Sequence, residues 1–156
     1  MPLNNQMLTA CEIVKVVANR GHQQIPFPEF NDNLNSKNMD SAYGEITRWP
    51  GYIPTPLISL DKLAIYCGVS SVVYKDESQR LDMKSFKALG GAYAVAKLVA
   101  KQITKGINPK NIIVTTATDG NHGRSVAWGA QQAGCQAEIY IHEHVSNQRA
   151  DAMATF

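Results

Sequence analysis

Two short stretches of the 156-residue chain concentrate groups that can do chemistry. One is Thr115-Thr116-Ala117-Thr118-Asp119-Gly120-Asn121-His122-Gly123-Arg124, which sets a carboxylate, an amide and an imidazole among glycines, just after the apolar residues that begin at Ile112. Glycine lets the backbone approach a ligand, and free amides at the start of a following helix favour anionic groups. The same composition suits a solvated turn, because Asp, Asn and Gly are the usual turn residues. The other is Asp82-Met83-Lys84-Ser85-Phe86-Lys87-Ala88-Leu89-Gly90-Gly91, which puts Lys84 and Lys87 near a helix start. Positive charge there opposes the helix dipole. A lysine desolvated at such a site has a lowered pKa and suits Schiff-base chemistry, whereas one that snorkels to water has no special role. Spacing alone does not choose between the two lysines. Gly90-Gly91 inside a helix costs stability, which points to close packing or a ligand nearby.

Other candidates carry less. His142-Glu143-His144 holds two histidines two residues apart, but no third ligand or metalloenzyme spacing accompanies them, so no metal is expected. His122 reads as a packing or hydrogen-bonding residue, and Trp49 and Trp128 as core or interface aromatics. Cys67 and Cys135 read as buried small hydrophobes. Arg149 and Arg124 read as surface charges, Arg124 being the one able to face the Asp119–Asn121 loop.

Composition narrows the class. Fifteen Lys and Arg against 13 Asp and Glu give a formal charge of +2 with no basic cluster, which argues against nucleic-acid binding. No apolar run is long enough to cross a bilayer, and the polar start Met1-Pro2-Leu3-Asn4-Asn5-Gln6 is unlike a secretory signal. The three cysteines (Cys11, Cys67, Cys135) are odd in number and far apart, unlike a disulfide scaffold or zinc ribbon; a reducing cytoplasm is expected.

The elements that must position these residues follow from periodicity and punctuation. Residues 9–19 could be strand or short helix, and residues 20–40, with Pro26, Pro28 and several asparagines, read as an extended arm. Residues 1–45 are thus an N-terminal arm and short element, and 46–156 the main fold. Asp40 is placed to cap a helix running to Arg48, which Pro50-Gly51 ends. Pro54-Thr55-Pro56 is an extended connection. Residues 60–67 read as a helix stopped by Gly68, and 71–74 as a strand. Residues 86–101 form a helix with Phe86, Leu89, Tyr93 and Ala96 on one stripe. Then come a strand at 112–115, a helix at 123–133 ended by Gly134, a strand at 137–141, and a last helix capped by Ser146 and still running at Phe156. Alternating strands and helices predict an α/β fold, a parallel sheet with flanking helices. Ligands bind such sheets where strand runs into helix.

Three segments resemble one enzyme family: Lys75-Asp76-Glu77-Ser78, then Ser85-Phe86-Lys87-Ala88-Leu89-Gly90-Gly91-Ala92-Tyr93, then Thr118-Asp119-Gly120-Asn121-His122-Gly123-Arg124. In order and separation they are similar to pyridoxal-phosphate enzymes of the tryptophan-synthase-β type (fold type II), and within that group to the 2,3-diaminopropionate ammonia-lyases. The likeness runs from about Trp49 to the end and includes Gly51-Tyr52-Ile53-Pro54-Thr55-Pro56-Leu57.

The resemblance implies that Lys87 carries the cofactor, pyridoxal 5'-phosphate, and that Asn121 bonds its ring hydroxyl. It implies that Asp119, where serine and threonine dehydratases usually have a small residue, is a base for one configuration at the substrate α-carbon. The implied reaction is α-proton abstraction and β-elimination, converting 2,3-diaminopropionate to pyruvate and ammonia. An aspartate is a weak base in water, so Asp119 is expected to be partly buried or matched by proximity. Lys84 and Asp82 depart from the family pattern, where an uncharged residue and a glycine are common. The family's phosphate cradle, its pyridine-nitrogen partner and its second aspartate lie in a later half that this sequence does not include. The expectation is therefore the N-terminal part of such a fold, with a small amino acid as substrate and a homodimer by resemblance. The alternatives are a catalytically silent fragment or interaction module of the same fold, and a serine/threonine dehydratase-like enzyme.

Overall fold

The computed structural model describes Ala18, Arg20, Gly21, Asp32 and residues 34–156. The run at 9–19 and most of the stretch read as an arm lie outside the described residues, apart from those few positions. The chain divides into two units, Met1–Asn35 and Ser36–Phe156, and the second holds both chemistry-bearing stretches.

Helix α1 (Ser36–Ile46) begins inside the stretch read as an arm, so Asp40 is an interior residue and not its cap. Thr47 Oγ1 donates to the Tyr43 carbonyl at 2.8 Å just beyond its end. The prolines at 54 and 56 lead into a strand that periodicity did not suggest, β1 (Leu57–Ser59). It pairs antiparallel with β2 (Val73–Lys75), with Ile58 opposite Tyr74. Between them lies α2 (Asp61–Cys67), ended by Gly68 at φ 65°, a conformation in which glycine avoids the Cβ clash. Cys67 is exposed, contrary to the buried reading, because α2 buries just one residue, Ala64.

A 3-10 turn (Arg80–Asp82) precedes α3 (Lys87–Ile103), and a second (Pro109–Asn111) precedes β3 (Ile113–Ala117). In the second turn Asn108 Oδ1 accepts from the Lys110 amide at 3.0 Å. Helix α4 (Asn121–Ala133) then crosses to β4 (Gln136–Tyr140), which pairs parallel with β3 from Ile113↔Gln136 to Ala117↔Tyr140. The last helix, α5 (Asn147–Ala154), ends before Phe156 and so is not still running there. Ser146 occupies its N-cap position without a side-chain cap bond.

The expected parallel arrangement thus holds for β3 and β4, while β1 and β2 form a separate antiparallel pair. The physical reason lies in the connecting helices. Helix α4 buries seven of its residues, among them Val126, Ala127 and Ala130, and packs on the strands it joins, whereas α2 covers almost nothing. Strand–helix alternation predicts a parallel pair where the helix packs across the sheet.

Two apolar clusters make the core. One joins Val95 and Val99 of α3 to Ile112, Val114, Val126 and Ala130. The other joins Leu81, Met83, Ala88, Ala92 and Trp128, with Trp49, Tyr52 and Phe156 packed against it. The buried face of α3 is Ala88, Gly91, Ala92, Val95 and Val99, not the stripe of larger residues, and Phe86 is 62% exposed. The offset has a cause: a Cβ on Gly129 of α4 would lie 2.7 Å from Ala92 Cα. Helices that approach this closely accept only small side chains between them. No helix among the described residues is long and apolar enough to cross a membrane.

Candidate active site

The Asp119–Asn121 loop joins the end of β3 to the start of α4. Thr118 continues the strand ladder through its amide to the Tyr140 carbonyl at 2.9 Å, and Asn121 is the first residue of α4. The extended Gly120 offers no side chain to cap that helix. Gly123 is required by packing: a Cβ there would lie 2.5 Å from Met153 Sδ and 2.8 Å from Thr118 Cγ2. The first turn of α4 is therefore wedged between its own strand loop and α5.

Lys87 is the first residue of α3, and its amide donates to Ser85 Oγ at 3.2 Å. The loop leading to it is strained. Leu81 (φ 49°), Asp82 (φ 55°) and Lys84 (φ 53°) all adopt the left-handed region that favours glycine. Such residues persist where the surroundings over-determine the backbone. Here Leu81 and Met83 are buried, the Met83 amide donates to the Arg80 carbonyl at 2.8 Å, and Arg124 Nη1 donates to the Met83 carbonyl at 3.2 Å. A glycine at position 82, which the resemblance leads one to expect, would adopt that φ without a Cβ clash.

Just before this loop sits a buried polar brace. Arg80, 4% exposed, donates from Nε to Glu77 Oε2 at 2.7 Å and from Nη2 to Glu77 Oε1 at 2.9 Å. It also donates to Thr55 Oγ1 at 2.9 Å and to the Ile53 carbonyl at 3.2 Å, and lies 5.5 Å from the Tyr52 ring centroid. Thr55 Oγ1 donates to Glu77 Oε1 at 2.6 Å, and Lys75 Nζ to the Thr55 carbonyl at 2.5 Å. Hydrogen bonding from Arg80 outweighs burial and holds the Glu77 carboxyl down at about 2. The brace fastens residues 53–57 to the approach to Lys87.

Lys87, Asp119 and Asn121 line one open cleft of about 500 Å³, together with Arg124, Gln148 and Arg149. All three residues singled out from the sequence are thus brought together; Lys84 is exposed and is not part of the lining. Asp119 is exposed as well, so of the two expected arrangements, partial burial or proximity, partial burial is not met. The side chains of Lys87, Asp119 and Asn121 form no hydrogen bond or ion pair among the described residues and are free to meet a ligand. Arg124 is half-buried, and its Nε is buried with no hydrogen-bond partner, an unmet donor in a group that stays charged. His122 and Arg149 are exposed.

This donor set fits pyridoxal phosphate. A primary amine able to condense with an aldehyde and an amide able to bond a ring hydroxyl share one cleft of cofactor size, which the charged Arg124 side chain also lines.

Sequence reasoning missed Ser125. It is fully buried, donates to the Lys87 carbonyl at 2.7 Å and accepts from the Ala92 amide at 3.0 Å. Gly91, read as a mark of close packing or of a ligand nearby, lies against it: a Cβ there would be 2.3 Å from Ser125 Oγ. Gly90 faces open space. Arg80 was also missed, although Glu77 three residues before it is the spacing of a helical ion pair. Trp49 and Trp128 meet edge to face at 5.5 Å, as core aromatics do. The His142 and His144 rings lie 4.8 Å apart at the surface, with Glu143 Oε1 3.8 Å from His144 Nε2.

Comparison with known proteins places the chain in a family. The profile described as "Pyridoxal-phosphate dependent enzyme" matches residues 48–156. A diaminopropionate ammonia-lyase of Escherichia coli (strain K12) is 46% identical over 114 residues, covering 66% of this chain and 29% of that protein. The crystal structure of the Escherichia coli diaminopropionate ammonia lyase in apo form superposes with a TM-score of 0.77 at 37% identity, over 89% of this chain and 38% of that one. Threonine dehydratase 1 of Solanum lycopersicum is 34% identical over 108 residues, covering 69% of this chain and 15% of that protein. The chain spans less than a third of the length of these curated relatives. With a matching profile over most of its length and a matching α/β architecture, the chain belongs to the pyridoxal-phosphate dependent enzymes of fold type II, whose cofactor is pyridoxal 5'-phosphate.

Proposed function

We propose that this chain is the lysine- and base-bearing part of a pyridoxal-phosphate-dependent diaminopropionate ammonia-lyase. The observation that carries the reading is the shared cleft: Lys87, Asp119 and Asn121 line it together, and their side chains bond no other described residue. The likeness to diaminopropionate ammonia-lyases supports the substrate assignment. So does the carboxylate at position 119, where dehydratases usually carry a small side chain.

In this reading Lys87 holds the cofactor through its amine and Asn121 orients it through the side-chain amide. Bound there, pyridoxal phosphate supplies an electron sink for negative charge at the substrate α-carbon. Asp119 or the released Lys87 amine takes the α-proton; Asp119 is a general base by proximity, since it stands exposed at the cleft edge. The β-amino group departs as ammonia. Water then replaces the remaining amino group, so that 2,3-diaminopropionate and one water give pyruvate and two ammonia. The remainder of the family fold supplies the phosphate cradle, and the resemblance points to a cytoplasmic homodimer.

Coverage of about a third of the relatives favours a second reading, in which the chain alone is a catalytically silent part of the fold. The exposed Leu57, Ile58, Val73 and Tyr74 on the β1–β2 pair are what a part separated from its covering layers presents. A serine/threonine dehydratase-like activity is the other alternative.

Mixing the purified protein with pyridoxal phosphate separates these readings. Visible absorbance that borohydride abolishes, with the label recovered on Lys87 and lost in Lys87→Ala, supports the proposal. No absorbance and no label leaves the silent reading for this chain. Pyruvate release from diaminopropionate, but not from serine or threonine, by the protein joined to the rest of the fold decides the substrate.

A further inference from the structure

We infer that Ser125 is a positioning residue for Lys87, holding the first turn of α3 so that the lysine amine enters the cleft in one orientation. The inference rests on the reading of Lys87 as the cofactor lysine. The Ser125 hydroxyl is fully buried and is tied at both sides: it donates to the Lys87 carbonyl at 2.7 Å and accepts from the Ala92 amide at 3.0 Å. A helix's first residue is ordinarily its loosest, because fraying begins there. This one follows a loop with left-handed residues at Leu81, Asp82 and Lys84, whose strain would be released by any loosening at 87.

The partner that grips Lys87 belongs to α4, the helix that begins with Asn121. One rigid element therefore carries the Asn121 amide and, one turn on, the hydroxyl that fixes the Lys87 backbone. The next-door Arg124 adds a parallel tie to the Met83 carbonyl at 3.2 Å. Gly91 completes the device by exclusion, since a Cβ there would stand 2.3 Å from Ser125 Oγ and drive the hydroxyl off its partners. The Gly91–Ser125 pair is thus one unit, and a lysine whose direction is set by backbone geometry is pre-organised for imine formation.

The test separates bridging from packing. Protein is mixed with pyridoxal phosphate, the rate of borohydride-trapped label on Lys87 is followed by peptide mass spectrometry, and the induced circular dichroism of the bound cofactor is recorded beside the thermal midpoint. Ser125→Ala and Gly91→Ala are each expected to slow labelling of Lys87 roughly tenfold and to weaken the induced signal. The double variant Gly91→Ala with Ser125→Gly relieves the clash but has no hydroxyl. It is expected to recover the thermal midpoint of Gly91→Ala while labelling stays slow. Recovery of the labelling rate together with the midpoint would mean that Ser125 acts through packing alone and overturns the inference. Unchanged labelling and dichroism in Ser125→Ala overturn it too, and leave the assignment of Lys87 standing. No label on Lys87 in the unaltered protein overturns both that assignment and the inference. Should Ser125→Ala fail to fold, the double variant and Ser125→Cys carry the comparison.

Discussion

Arg80 meets Glu77 in a two-pronged ion pair, Nε to Oε2 at 2.7 Å and Nη2 to Oε1 at 2.9 Å, at the start of the segment that leads to Lys87. The pair works as a fastening between residues 53–57 and the strained loop, because Thr55 bonds both partners. Buried pairs of this kind cost heavily when one member is removed.

Acid should therefore loosen the protein in a defined window. The Glu77 carboxyl is depressed from 4.5 to about 2, chiefly by its hydrogen bonds from Arg80. A carboxyl lowered on folding stabilises fully above its unfolded pKa, and that contribution is lost as pH falls from about 4.5 through about 2. The amount is roughly 3 kcal/mol. Urea denaturation across that range should show the loss, and Glu77→Gln should flatten it. Arg80→Ala should cost about 3 kcal/mol at neutral pH.

Asp119→Asn keeps the shape of the cleft edge and removes the basic oxygen. On the proposed mechanism it should retain cofactor attachment at Lys87 and lower turnover of diaminopropionate, in the protein joined to the rest of the fold, by about 100-fold or more. Attachment read by absorbance and turnover read by pyruvate release give the two halves independently. Equal turnover would remove Asp119 from the chemistry.

Gly129→Ala tests the seam between α3 and α4. The added Cβ would fall 2.7 Å from Ala92 Cα, and main chain has no rotamer with which to yield. The helices must part, at a cost of about 1–3 kcal/mol in urea denaturation. Gly90→Ala, whose Cβ meets open space, should stabilise by up to about 1 kcal/mol. The two glycines thus respond with opposite sign.

Asp82 stands at φ 55° with its side chain exposed. Asp82→Gly should raise the urea midpoint slightly, because the Cβ penalty of about 1 kcal/mol is only partly offset by the greater freedom of glycine in the unfolded chain. Asp82→Val should lower it, since a β-branched side chain tolerates this conformation worst.

The grouping of Lys87, Asp119 and Asn121 around one cleft was legible because it is written locally. Lys87, Asp119 and Asn121 sit within short motifs at helix starts, and the fold had only to bring two such starts together. The β3–α4–β4 unit was legible for the same reason, with strand edges misjudged by a residue or two. What escaped depends on distances between elements. Phe86, Leu89 and Tyr93 have the period of a buried stripe, yet α4 comes so close to α3 that the buried face belongs to Ala88, Gly91 and Ala92. A serine within a helix reads as solvent-facing, and nothing local marks Ser125 as the most buried polar residue of that seam. Strand direction at β1 and β2 and the exposure of Cys67 turn on how little α2 covers.

Both tryptophans of the chain, Trp49 and Trp128, touch at 5.5 Å within the cluster that also holds Leu81 and Met83. All of the chain's indole emission therefore originates beside the loop that feeds Lys87. The protein carries its own optical probe of that one region. A shift in emission on adding a ligand or altering a residue reads the setting of the lysine's loop, without any label being introduced.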